Sequence, residues 1–385
     1  MINFKKLFLN FTISLFFISF ISNVSIAKEI DVSKYILEPM PSWYNERYYN
    51  PHLDINLMIK DGFTRYEALE IQNQMKDILD NDKEFLEMEE NSRLNDYKIE
   101  KVISSLNQAI KNVKENRKFE NNFKPEKNLK NYEFYVVFDM DETLLVQWYK
   151  MGEKGSKYYT SKVSQNCLDN IIKPKIEGPN YFLMIPKWEE AFDKIYKIPG
   201  NKGIILFSAK LDIATHCIID KLKIKGKPLK DHVKAIFTRN YLIREVEPTK
   251  LSKDLRMIDE TLEHVIIIDD NPTRILEKQK RNLRKFPKYN ADEYLLSKDK
   301  NNQKVKKYFE NLLDVIVDEI QESAEYARKN NVSFVEAYFP YSDDGSDELI
   351  MLQKQGMTLN QAVDFIRNNR KIFEPEFYVP AEHKK

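Results

Sequence analysis

The chain has 385 residues, enough for roughly two domains, and 31% of them are charged. Its 61 Lys and Arg against 60 Asp and Glu leave a net charge of +1, so composition makes no electrostatic case for nucleic acid as a partner. The 2 cysteines and 5 histidines are scattered without metal-type spacing, which leaves a zinc site unsupported.

At the amino terminus Lys5 and Lys6 precede an apolar run from Leu7 to about Ile21, and Ser25-Ile26-Ala27 follows with small residues at the cleavage-determining positions. This layout predicts a secretory signal peptide over residues 1–27. An exported protein follows, periplasmic or secreted, with no membrane association after cleavage. The alternative is an uncleaved anchor, because the run can be stretched to about 20 residues; Asn10, Thr12 and Ser14 weigh against it. In an exported chain Cys167 and Cys217 can form one disulfide.

Residues 28–131 read as a helical amino-terminal region. Ile99, Val102, Leu106, Ile110 and Val113 recur at helical spacing, which predicts a hairpin of helices packed on the main domain. A polar stretch over residues 121–131, with Pro125, marks a boundary. From 132 to 323 apolar runs alternate with amphipathic stretches. Phe134–Phe138, Gly203–Phe207, Val233–Phe237 and Val265–Ile268 predict strands. Trp188–Ile198, Ile213–Leu222 and Asp254–Leu262 predict helices between them, and a helix through Val305, Phe309 and Ile316 closes the domain. Such alternation predicts an α/β fold with a central parallel sheet. Residues 324–385 read as a helical tail, with a solvated acidic loop at Ser342–Glu348 and a short amphipathic helix near Leu359–Ile366.

Polar groups gather where three of these strands end. The first ends in Asp139, Asp141 and Thr143, the second in Ser208, and the last in Asp269 and Asp270. Lys250 and Lys253 precede the last strand. Open α/β sheets place their chemistry just beyond the carboxyl ends of their strands. Phosphoryl transfer needs such a set: carboxylates sharing Mg2+, one of them free to attack phosphorus, a second acid to move protons, and a cation and a hydroxyl for the phosphate.

The blocks FDMDETLL, LFSAK, KDL and IIIDDNP, in that order, resemble the four motifs of the haloacid-dehalogenase-like phosphohydrolase superfamily. The nearer likeness is to its NLI-interacting-factor-like branch, which contains the small phosphatases of the RNA polymerase C-terminal domain. The resemblance covers about Tyr132 to Ile320. It implies a Rossmann-like three-layer fold with a minimal cap, or flap. It also implies an aspartyl-phosphate mechanism with Asp139 as nucleophile and Asp141 as general acid/base. Thr143, Ser208 and Lys253 fall at phosphate-binding positions, and Lys253 is preferred over Lys250 because it stands sixteen residues before Asp269. Asp139, Asp141 (through its backbone carbonyl), Asp269 and Asp270 fall at metal positions. Ser208 stands where the family usually has threonine. The expected substrate is a phosphomonoester, either a phosphoprotein or a small molecule. The alternatives are a broad acid phosphatase or phosphotransferase, and a binding module on a phosphatase fold.

Overall fold

The computed structural model describes residues 31–37, 52–86, 96–115, 123–149, 180–210, 212–244, 251–289 and 300–373. The signal peptide read at residues 1–27, Cys167 and Lys250 lie outside them. Among the described residues no helix is long and apolar enough to cross a membrane. The strands are β1 (Phe134–Phe138), β2 (Leu145–Tyr149), β3 (Asn180–Met184), β4 (Asn201–Phe207), β5 (Lys223–Ile224), β6 (Lys227–Pro228), β7 (Ala235–Phe237), β8 (Ile243–Arg244), β9 (Leu251–Ser252), β10 (Val265–Asp269) and β11 (Leu283–Lys285).

Five of them form one parallel sheet in the order β11-β10-β1-β4-β7. Strand β1 is central and buried along its whole length. Its run of aromatic and β-branched residues suits a strand covered on both faces. Side chains alternate between those faces. Phe134, Val136 and Phe138 point into one core with Ile204, Leu206, Ile266 and Ile268. Tyr135 and Val137 point into the other with Ile205, Phe207, Val265 and Ile267.

The first core is closed by the helices Trp188–Lys197 and Lys300–Asn330 and by the carboxy-terminal helices. The segment read as a tail is therefore part of the core. Phe334 lies flat on Phe134, with ring centroids 3.8 Å apart, and neither ring is exposed. Arg367 fixes the last turns by donating to both carboxylate oxygens of Glu322. The acidic stretch at Ser342–Glu348 is not a loop. The Ser342 hydroxyl caps the Asp343–Lys354 helix, and Asp343 and Asp344 sit in its first turn, where they oppose the helix dipole.

The second core is closed by the amino-terminal helices Arg65–Asp80 and Asp96–Lys114. Residues 123–131, the described part of the polar stretch, do not interrupt it, because Phe123 wedges edge-on against both Tyr135 and Phe237. The helical region and the sheet share one core. The helix expected over Asp254–Leu262 is only a 3-10 turn, Leu255–Met257. The Asp254 carboxylate accepts from the Arg256 N–H, and Asp259 accepts from the N–H groups of Thr261 and His264. Such local bonds compete with a helix ladder.

Candidate active site

The carboxyl ends of β1, β4 and β10 meet at one edge of the sheet. The Asp139 N–H donates to the Ile268 carbonyl at 2.9 Å, and the Ser208 N–H to the Phe237 carbonyl at 2.8 Å. These bonds continue the ladders by one residue and fix both side chains at the rim. Beyond Asp139 the chain turns tightly. Both Leu144 and Leu145 donate to the Met140 carbonyl, and Glu142 takes a left-handed φ of 61°. The turn leads into the antiparallel β2–β3 pair, which stands where a flap is expected.

Lys253 holds the centre. Its ammonium donates to Asp139 Oδ1 at 2.6 Å and to Asp269 Oδ2 at 2.7 Å, and its side chain is 1% exposed. Its backbone is anchored by the bond from its N–H to the Arg274 carbonyl. Burial lowers the lysine's pKa, but Asp139 and Asp269 outweigh it and raise the net value, so the ammonium is charged. Burial raises Asp139 well above its ordinary range; Lys253 opposes this, while Asp269 and Asp141 add to it.

One oxygen each from Asp139, Asp269 and Asp270 lies within 4.8 Å of the other two. Asp270 is raised to about 6, first by burial and then by Asp269. Three carboxylates against one ammonium leave two negative charges at the rim when all are ionised. That all-oxygen donor set and charge fit a hard divalent cation such as Mg2+. Asp141 stands outside the group. Its Oδ1 meets Lys210 Nζ at 2.9 Å, and its Oδ2 accepts from the Ser208 hydroxyl at 3.5 Å. Its side chain is 36% exposed, so it faces the site mouth.

Thr143 departs from the expected set. Its hydroxyl donates to Asp270 Oδ1 at 3.2 Å and accepts from the Asp270 N–H at 3.1 Å, and the residue is fully buried. A hydroxyl has one proton to give. Thr143 therefore spends that proton on Asp270, at a position where the resemblance implies a phosphate contact. Lys210 is a residue that sequence reasoning passed over. It stood inside LFSAK, and the only signal was a cation two residues past a strand-end serine.

Residues 134–319 match the profile of the family described as NLI interacting factor-like phosphatase. This stretch is an NLI interacting factor-like phosphatase domain, of the haloacid-dehalogenase type. Two solved structures similar to the chain are of the fission yeast RNA polymerase II CTD phosphatase Fcp1 bound to beryllium fluoride and of Fcp1, an essential RNA polymerase II CTD phosphatase. The first is 12% identical, with 59% of this chain and 67% of that one covered and a TM-score of 0.30. The second is 13% identical, with 63% and 65% covered and a TM-score of 0.28. This chain thus spans about two thirds of their length. No curated protein matches it. The amino-terminal helices and the Phe334 segment lie outside the phosphatase match.

Proposed function

We propose that the chain hydrolyses phosphomonoesters with Mg2+ through an aspartyl-phosphate on Asp139. The observation that carries this reading is the Lys253 ammonium lodged between Asp139 and Asp269 beside a third carboxylate, with Asp141 held apart at the mouth. A divalent cation held by Asp139, Asp269 and Asp270 would neutralise phosphoryl oxygens. The Asp139 carboxylate attacks phosphorus and the ester P–O bond breaks. Asp141, as the acid, gives its proton to the leaving oxygen. Water then attacks the phosphorus, Asp141 takes a proton from it, and the acyl-phosphate bond breaks to release phosphate and restore Asp139. Ser208 and Lys253 bind the phosphoryl oxygens, Thr143 positions Asp270, and Lys210 orients Asp141.

Phosphoproteins are the substrate class we favour. Between β4 and Lys253 the described inserts are only the β5–β6 ribbon and a short strand pair formed by β8 and β9, so no large cap stands over that side of the rim. Export remains part of the reading on the strength of the Lys-flanked apolar run at residues 5–21. The test is Mg2+-dependent hydrolysis of p-nitrophenyl phosphate by the chain beside Asp139→Asn. Activity in the first and loss of at least a hundredfold in the second is expected; equal rates rule out the covalent mechanism, and activity in neither points to a binding module. A phosphopeptide turned over faster than a nucleoside monophosphate supports the protein substrate. Fractionation of the producing cells tests export.

A further inference from the structure

The amino-terminal helices touch the catalytic rim as well as the sheet. Thr64 and Glu67 form a capping box, each accepting from the other's backbone N–H, so the Arg65–Asp80 helix begins at a fixed point with Arg65 as its first residue. Arg65 Nη1 lies 2.8 Å from Asp254 Oδ2, and the two side chains are 10% and 0% exposed. The contact is an ion pair and not a well-aligned hydrogen bond, since Nη1 has no acceptor in line. Asp254 also accepts from Arg256 and from Gln279 Nε2, and Gln279 Oε1 in turn accepts from the Leu255 N–H. Asp254 directly follows Lys253. The same helix reaches the second lysine of the rim. Gln72 Nε2 donates to the Asn240 carbonyl, Asn73 and Asn240 are joined side chain to side chain, and the neighbouring Arg239 N–H donates to the Lys210 carbonyl.

Resting on the proposed role of Lys253, we propose that Arg65 is a positioning residue for catalysis: by gripping Asp254 it holds the Lys253 ammonium on Asp139 and on the substrate phosphate. Lysine has a long flexible stem, and its ammonium can be placed accurately only if its backbone is fixed. The Arg274 carbonyl fixes the Lys253 backbone directly, while the Gln279 clamp and Arg65 hold the side chain of the next residue, Asp254. Arg256 shares Asp254 through two side-chain hydrogen bonds, but its side chain is 38% exposed, so Arg65 is the more buried of the two cations. Misplacement by about 1 Å at a reacting centre costs up to a hundredfold in rate.

The test uses the full chain with Arg65→Met, Arg65→Lys, Lys253→Met and the double variant Arg65→Met/Lys253→Met. Turnover of p-nitrophenyl phosphate and binding of inorganic phosphate are measured with Mg2+ well below each melting midpoint. Arg65→Met is expected to lose about tenfold or more in kcat/KM and to weaken phosphate binding in parallel. Arg65→Lys recovers most of both, because the contact is a single charge pair. In the Lys253→Met background Arg65→Met adds nothing further to the loss of phosphate binding. A lower melting midpoint with kcat/KM within twofold of the parent makes Arg65 merely structural and overturns the inference, as does an added loss in the double variant. If Arg65→Met does not fold, the charge-free pair Arg65→Gln/Asp254→Asn answers the same question by the same readouts. Full activity in Lys253→Met alone overturns the proposed site itself, a separate outcome.

Discussion

Replacing Lys253 with methionine keeps most of the side chain's length and removes its charge. The ammonium lies 2.6 Å from Asp139 and 2.7 Å from Asp269, with 1% of the lysine side chain exposed, so its loss leaves two buried carboxylates without their cation. Removing one partner of a buried ion pair costs about 3–5 kcal/mol. Asp139 is already raised by burial and can take up a proton, which relieves part of the repulsion and sets the cost near 3 kcal/mol. For a cooperative unit of about 300 residues that lowers the melting midpoint by roughly 4–5 °C. Magnesium should restore more stability to the variant than to the parent, since binding at about 100 times Kd contributes about 2.7 kcal/mol and the variant's carboxylates have lost their competing cation. Turnover should fall about 10²–10³-fold, the usual loss when one preorganised charge donor is removed. Thermal melts by circular dichroism with and without Mg2+, beside p-nitrophenyl phosphate kinetics, read all three effects. An unchanged midpoint together with kcat within tenfold of the parent would refute the central role given to this lysine.

Glu70, 1% exposed at the joint between the Arg65–Asp80 helix and Tyr241, is raised by burial from 4.5 to about 7. The folded state thus holds the proton more tightly than the unfolded one. Ionising Glu70 costs stability increasingly from pH 4.5 to 7, so Glu70→Gln should add up to about 3 kcal/mol at pH 8 and little at pH 5 in urea unfolding. Phe334→Ala removes the ring stacked on Phe134 and should cost about 3–5 kcal/mol by the same measurement; a loss under about 1 kcal/mol would detach this segment from the core. Asp270, at about 6, must lose its proton to hold a cation, so the Mg2+ concentration for half-maximal activity should rise as pH falls below 6. An unchanged requirement at pH 5 would remove Asp270 from the metal site.

Strands β1 and β10 were legible because each is an apolar run buried on both faces, and a run of that kind ending in two carboxylates has few readings. Ser208 was legible as the polar residue ending an apolar strand, whereas the choice of Lys253 over Lys250 rested on the family resemblance and its spacing from Asp269. Elsewhere local chemistry overrode the pattern. Asp254–Leu262 has the apolar spacing of a helix, yet Asp254 and Asp259 spend their carboxylates on nearby backbone N–H groups and stop the helix after one turn. Ser342–Glu348 has the composition of a solvated loop, yet Ser342 caps a helix that takes Asp343 and Asp344 into its first turn. Thr143 sits in a motif that suggests phosphate contact, and only the fold reveals Asp270 within reach of its hydroxyl. Lys210 had only its place two residues past Ser208 to announce it and Arg65 had no pattern at all, since each meets a partner far away in the chain.

The boundaries of the phosphatase match do not coincide with the boundaries of the core. Residues 134–319 contain both strand-end carboxylate pairs and Lys253, yet one face of their sheet is covered by helices that end at Lys114 and by Phe123. Tyr135, Val137, Ile205, Phe207 and Ile267 are all buried on that face, beside apolar residues of the amino-terminal helices such as Leu69, Met75, Val102 and Leu106. The covering layer therefore shares the sheet's core. Because the Arg65–Asp80 helix meets Asp254, the residue after Lys253, through Arg65, an element that closes the core also bears on the rim. Stability and chemistry are joined through one buried ion pair, and a substitution in the amino-terminal layer can alter catalysis without touching the substrate.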